Sequence, residues 1–232
     1  MVKVKICGLT RMEDARVAID AGADYLGFIL YPPSPRAIDT TRLRSLILDL
    51  KTSLPGVFTR VDPPLLVGVF VNQSAASISE VINHCGLDLV QLSGDEDTDG
   101  FNNPANPIYG RVYKAIRPLT KDEAITFVIR YTNLAAHAGP NTPSLLVDTP
   151  HKYLYGGTGT AGDWDLAADI ATSVPRLMLA GGLNPTNVAG AVHMVKPFAV
   201  DVAGGVEESP GVKDHSRIRA FIKNAKNGSI GH

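Results

Sequence analysis

VKVKICGLTRMEDARVAIDAGADYLGFIL, residues 2–30, contains the unit from which the rest of the chain is built. It opens with a strand-like run, VKVKIC (2–7), in which Val and Ile alternate with Lys before a Cys. A helix-like stretch follows, TRMEDARVAIDAG (10–22), with Thr10 as the expected cap, Glu13 three residues on and Gly22 as the stop. Its Met12, Ala15, Val17, Ala18 and Ile19 fall on one face. YLGFIL (25–30) then reads as a second strand.

The same alternation continues to the end of the chain. Further strands are expected at LLVGVFV (65–71), LDLVQL (87–92), VYKAIR (112–117), SLLVDT (144–149), RLMLAG (176–181) and FAVDVA (198–203), eight in all. Most are nearly continuous in apolar character, as parallel strands buried on both faces are. Helices are expected within 39–53, 74–86, 120–139, 163–173, 184–195 and 213–228. Pro185 stands at the first helical position after an Asn184 cap. GDEDTDGFNNPANP (94–107) reads as loop, and LPGVFTRVDPP (54–64) as an insertion on the far face. Eight strands with eight crossovers in 232 residues predict a (β/α)8 TIM barrel, α/β in class, forming a single domain over 1–232. An open doubly wound sheet is the alternative, and it rarely carries eight evenly spaced strands.

The bulk composition excludes several classes. The chain is 44% hydrophobic and 19% charged, with a net charge of −1, which leaves no electrostatic footprint for nucleic acid or an anionic membrane. The longest apolar run is too short to span a bilayer, and the N-terminus lacks a signal-peptide core. Two cysteines, Cys7 and Cys85, suit reduced thiols in a cytoplasmic protein. GTGTAG (157–162) matches a dinucleotide pattern but stands too far from the preceding strand. A glycine-rich loop over a pocket fits better, with Gly157 a candidate ligand contact. DEDTDG begins like a calcium loop, yet its twelfth position is Asn106 rather than glutamate, and the histidines lack zinc spacing. No metal is expected.

In such a barrel the site lies at the C-terminal ends of the strands. Those ends carry Cys7, Arg36, Asn72, Gln91, Ser93, Lys114, Arg117, Asp148, Gly181, Gly182, Asp201, Ala203 and Gly204. The turns AGGLNPTNV and VDVAGGVEESPG follow the seventh and eighth strands, where barrels recurrently bind phosphate. Taken alone, Cys7 reads as a small packed side chain or as a reactive thiol, Asp148 as a turn cap or a functional acid, and Arg36 as a solvated loop charge.

KVKICGLT (3–10), GADYLGFILYPPSPRAI (22–38), VGVFVN (67–72), VQLSGDE (90–96), LLVDT (145–149), YGGTGTAGDW (155–164), AGGLNPTNV (180–188) and VDVAGGVEESPGVKD (200–214) resemble the successive motifs of the phosphoribosylanthranilate isomerase family, from residue 2 to about 226. The resemblance implies a cofactor-free Amadori rearrangement of a phosphosugar substrate in tryptophan biosynthesis, by a monomer or homodimer. It implies Asp148 as the acid, Cys7 as the base, Arg36 on the anthranilate carboxylate and Asp201 near the sugar hydroxyls. The glycine turns would hold the phosphate. An acid suits an aspartate ending an apolar strand, where burial raises its pKa; a base requires the thiol's pKa to be lowered. Two departures stand out: Ser93 where many members have His, and Ala203-Gly204 where many have two serines. Rival readings are a lysine-dependent aldolase or synthase using Lys3, Lys5 or Lys114, and a barrel that binds a phosphate ligand without catalysis. The Cys at position 7 argues against a side activity on the related aminoaldose of histidine biosynthesis, for which the base is usually Asp.

Overall fold

A computed structural model describes residues 1–148 and 164–228. Eight strands, β1 (Lys3–Ile6), β2 (Tyr25–Ile29), β3 (Leu65–Phe70), β4 (Leu89–Leu92), β5 (Val112–Ile116), β6 (Leu145–Asp148), β7 (Leu177–Ala180) and β8 (Ala199–Val202), pair in parallel order and close into a barrel. Each lies inside the run expected for it. The ring closes between β1 and β8, where Lys5 stands opposite Asp201.

The strands are apolar on both faces because each face has its own core. Outward residues such as Val4, Ile6, Leu26 and Phe28 pack under the helices. Inward residues Tyr25, Val67, Leu89, Tyr113, Leu146, Met178 and Ala199 fill the barrel and floor the site. Tyr25 finds its polar partner by donating to the Asn141 carbonyl at 2.7 Å.

Helices α1 (Met12–Ala21), α2 (Thr40–Ser53), the short α3 (Pro55–Phe58), α4 (Ala75–Cys85), α5 (Lys121–Tyr131), α6 (Trp164–Ser173), α7 (Val188–Val195) and α8 (His215–Gly228) surround the strands. Asp39, Ser74 and Thr120 accept backbone N–H bonds at the starts of α2, α4 and α5, each worth about 1 kcal/mol. Gly22 and Gly86 end α1 and α4 in left-handed conformations.

Two expected caps differ. Thr10 does not cap α1, because its hydroxyl donates instead to the Gly211 carbonyl at 2.7 Å. Pro185 lies in a turn ahead of α7, held by Asn184 Oδ1 accepting from the Thr186 and Asn187 amides. Among the described residues no helix joins β4 to β5; turns cover 93–111. A small antiparallel hairpin, β9 (Glu207–Ser209) and β10 (Val212–Lys213), follows β8 and is absent from the expected elements.

Candidate active site

A cavity of ≈ 450 Å³ opens at the C-terminal ends of the strands. Its walls include Gln91 from β4, Arg117 after β5, Asp148 from β6, Gly181 and Gly182 after β7, Asp201 from β8, and Ala203 and Gly204 after it. All of these are strand-end residues singled out in the sequence, and they meet around one space. Gly157 lies outside the described residues. Cys7 and Arg36 do not line the cavity; they adjoin it.

The loops after β7 and β8 are packed backbone to backbone. A Cβ on Gly205 would fall 2.0 Å from the Leu183 carbonyl oxygen, so only glycine permits this approach. The Lys213 ammonium donates to the Ala203 carbonyl at 3.0 Å and ties the second loop to β10. Gly204 faces the Arg36 guanidinium, with 3.4 Å between a built Cβ and Nη2. The Ala203-Gly204 departure therefore leaves Arg36 the space a larger side chain would crowd.

Arg36 is not a solvated charge. Its Nε and Nη2 donate to both oxygens of Glu207 at 2.7–3.0 Å, and its stem lies over Gly8. Gly8 has φ +73°, and a Cβ there would meet Arg36 Cδ at 2.8 Å. Glu207 also accepts from Lys213 Nζ at 2.8 Å and the Gly211 amide at 3.2 Å. These donors outweigh burial and hold its carboxyl below the usual carboxylate range. The Nε/Nη2 edge of the guanidinium is committed to Glu207; the Nη1/Nη2 edge can take a second planar anion end-on.

Cys7 is buried just past the end of β1, beside Lys5 two residues back. A Cβ on Gly27 of β2 would lie 2.8 Å from Cys7 Sγ and 3.0 Å from Lys5 Cε, so the glycine opens the niche both occupy. Burial pushes the thiol's pKa up, and the Lys5 charge pulls it down without offsetting burial. The lowering that a base requires is not present in the free protein. Lys5 is fully buried and donates to Gln91 Oε1 at 2.7 Å and Asp201 Oδ1 at 3.0 Å. Tyr113 also donates to Gln91 Oε1, at 3.0 Å, while Gln91 Nε2 donates to Ser93 Oγ at 3.1 Å. Lys5 and Tyr113, both donors, fix which way the Gln91 amide points, and Ser93 accepts from the end they leave.

Asp148 does not meet the apolar wall expected of it. It is half-buried and accepts from Arg117 Nε at 2.9 Å. Lys114, the lysine an aldolase-type reading would need, is buried in an ion pair with Glu96 at 2.6 Å and does not line the cavity. Among the described residues no cluster of His, Cys, Asp and Glu could hold a metal ion, and no helix is long and apolar enough to cross a membrane.

Gly8, Glu207 and Lys213 were not singled out in the sequence, and Lys5 entered only through the rival reading. The Pro210-Gly211 pair was the available signal for the hairpin that carries Glu207 and Lys213.

The sequence model of the family described as N-(5'-phosphoribosyl)anthranilate (PRA) isomerase matches residues 4–224. The N-(5'-phosphoribosyl)anthranilate isomerase of Geobacter sulfurreducens is 43% identical, covering 97% of this chain and 99% of that one. The enzyme of the same name from Pseudomonas fluorescens Pf0-1 is 42% identical, covering 95% and 97%. The crystal structure of the Thermotoga maritima enzyme superposes with a TM-score of 0.80 at 37% identity, over 98% of this chain and all of that one. A phosphoribosyl anthranilate isomerase solved with reduced 1-(o-carboxyphenylamino)-1-deoxyribulose 5-phosphate gives 0.78 at 36% identity, with coverages of 98% and 100%. With that geometry and these likenesses, the chain belongs to the N-(5'-phosphoribosyl)anthranilate isomerase family.

Proposed function

We propose that this chain converts N-(5-phosphoribosyl)anthranilate into 1-(2-carboxyphenylamino)-1-deoxyribulose 5-phosphate in tryptophan biosynthesis, with Asp148 as general acid and Cys7 as general base. The supporting observation is the cavity that joins Asp148 and Asp201 to both glycine loops, with Cys7 adjoining it beside Lys5. The loops after β7 and β8 hold the phosphate through backbone N–H groups. Arg36 binds the anthranilate carboxylate with the guanidinium edge that Glu207 leaves open. Gln91 and Asp201 meet the sugar hydroxyls.

The chemistry then proceeds in two proton transfers. Asp148 gives a proton to the furanose oxygen, the bond from that oxygen to C1′ breaks, and the nitrogen lone pair forms a protonated Schiff base. Arg117 holds Asp148 in the free protein, so to act Asp148 leaves Arg117, takes up a proton from solvent and passes it to the ring oxygen. Cys7, as thiolate, removes the C2′ proton. The bond pair forms a C1′–C2′ double bond and neutralises the nitrogen, and the resulting enolamine tautomerises to the ketone. The phosphate, remote from the reacting carbons, orients the sugar. Acid and base suffice for these steps, so no cofactor is assigned. The chain works as one barrel domain over 1–232, in the cytoplasm, as a monomer or homodimer.

Turnover followed by the fluorescence of the anthranilate group tests the assignment. Cys7→Ala and Asp148→Asn are each expected to reduce kcat by roughly 10²–10⁴-fold. Undiminished kcat in either variant refutes that residue's role.

A further inference from the structure

Lys5 occupies an unusual place for its residue type. In the alternation VKVKIC, Val4 and Ile6 face the helices, and Lys5 turns into the barrel, where it is fully buried. A buried ammonium needs counter-charge and acceptors. Lys5 has Asp201 Oδ1 at 3.0 Å and Gln91 Oε1 at 2.7 Å, and an ammonium carries three N–H donors. Gly27 leaves open the niche in which Cys7 Sγ and the Lys5 stem lie together.

Two acids thus adjoin one buried cation. Burial works against the Lys5 charge, but Asp201, Cys7 and Tyr113 hold it protonated. Burial also drives both Cys7 and Asp201 toward their protonated forms, and Lys5 opposes this in each. The other groups acting on the thiol are Lys213 from β10, Arg36 from the loop after β2, and Tyr113 from β5, while Asp148 acts on Asp201. Neither anion is favoured without the ammonium, and each weakens the other's claim on it.

We propose that Lys5 is the positioning residue that makes Cys7 a base, and that Cys7 and Asp201 compete for its charge, so that the thiol becomes thiolate when a ligand satisfies Asp201. In the free protein Asp201 occupies the ammonium, and Cys7 stays a thiol. A sugar hydroxyl donating to Asp201 draws its negative charge away from Lys5, Cys7 releases its proton to solvent, and the thiolate takes over the cation. The base is armed by the substrate it acts on, and the resting site keeps its sulfur unreactive. This rests on Cys7 being the base, as proposed above.

The test reads the thiol directly in the free full-length protein. Thiolate ultraviolet absorbance is titrated against pH, with Cys7→Ala as the blank that removes the Cys85 signal. Asp201→Asn keeps the shape and removes the competing charge; its Cys7 midpoint is expected to fall by about one unit, tenfold more thiolate at a given pH. Lys5→Met is expected to raise the midpoint by at least as much, with kcat recovering as pH rises and KM little changed. An Asp201→Asn midpoint that stays or rises overturns the competition. A Lys5→Met midpoint that stays overturns the role of Lys5. If Lys5→Met does not fold, the sign of the Asp201→Asn shift decides alone. The titration is independent of turnover: full activity in Cys7→Ala would refute the base assignment and leave the measured midpoints standing.

Discussion

Replacing Glu207 by Gln removes one charge and keeps the shape, and the surrounding donors set its cost. The carboxylate accepts from Arg36 Nε and Nη2, Lys213 Nζ and the Gly211 amide, all within 2.7–3.2 Å. A glutamine offers one acceptor oxygen and turns an NH2 toward a cation that is itself only a donor. The Lys213 side chain is 0% exposed and that of Glu207 5%, while Arg36 is 26% exposed and recovers part of its loss from water. Removing one member of a buried pair costs 3–5 kcal/mol, and the partial exposure of Arg36 places this case at about 3 kcal/mol. For a chain of this size that is a fall in Tm of roughly 6–12 °C. Because Glu207 titrates below its unfolded value, its contribution is fully present above that value and is lost as pH falls through the lower, folded one. The gap in Tm between wild type and Glu207→Gln is therefore widest near neutrality and closes toward acid. Thermal melts across a pH series at constant ionic strength measure it, and KM reports the loosening of Arg36. A gap that keeps its size into acid, or melts that coincide at neutral pH, refutes the reasoning.

Two glycine substitutions probe the loops and the niche that holds Cys7 and Lys5. Gly205→Ala forces the loops after β7 and β8 apart, since its Cβ would meet the Leu183 carbonyl at 2.0 Å. Overpacking of this kind costs about 1–3 kcal/mol, and inorganic phosphate should protect the variant less against heat than it protects the wild type; equal protection counts against those loops as the phosphate site. Gly27→Ala pushes on both Cys7 Sγ and Lys5. A displacement of about 1 Å costs up to 10²-fold in rate, so steady-state kinetics should show kcat falling with KM nearly constant, and an unchanged kcat excludes a role for that niche.

The barrel was legible because strands buried on both faces leave continuous apolar runs, and β3, LLVGVF, is the plainest of them. Asp148, Asp201 and the glycine turns were legible by position, as polar or small residues where such runs end. The hairpin β9–β10 was not, because three and two residues rich in charge carry no periodicity. Glu207 and Lys213 look like surface residues for the same reason, and their pairing with each other, with Arg36 and with the Ala203 carbonyl permits burial. Lys5 shows the deeper limit. Alternation of Val and Lys ordinarily marks a strand with one wet face, but closure of the ring turns that face inward and makes the lysine a buried cation. Thr10 shows a local rule yielding to a tertiary one: its hydroxyl bonds Gly211, 201 residues away, rather than the helix it precedes.

The passage from β4 to β5 without a helix divides the chain into two unequal inheritances. Before it stand Cys7, Lys5, Arg36 and Gln91; after it stand Asp148, both glycine loops, Asp201 and Glu207. The ion pairs Lys5–Asp201 and Arg36–Glu207 cross that divide. Each half thus carries charges that pair with the other, and closing on a copy of itself would leave those charges unmatched. The seam is therefore a lock between unlike halves: Lys5–Asp201 and Arg36–Glu207, which order the groups at and beside the cavity, also enforce which piece of chain completes the ring.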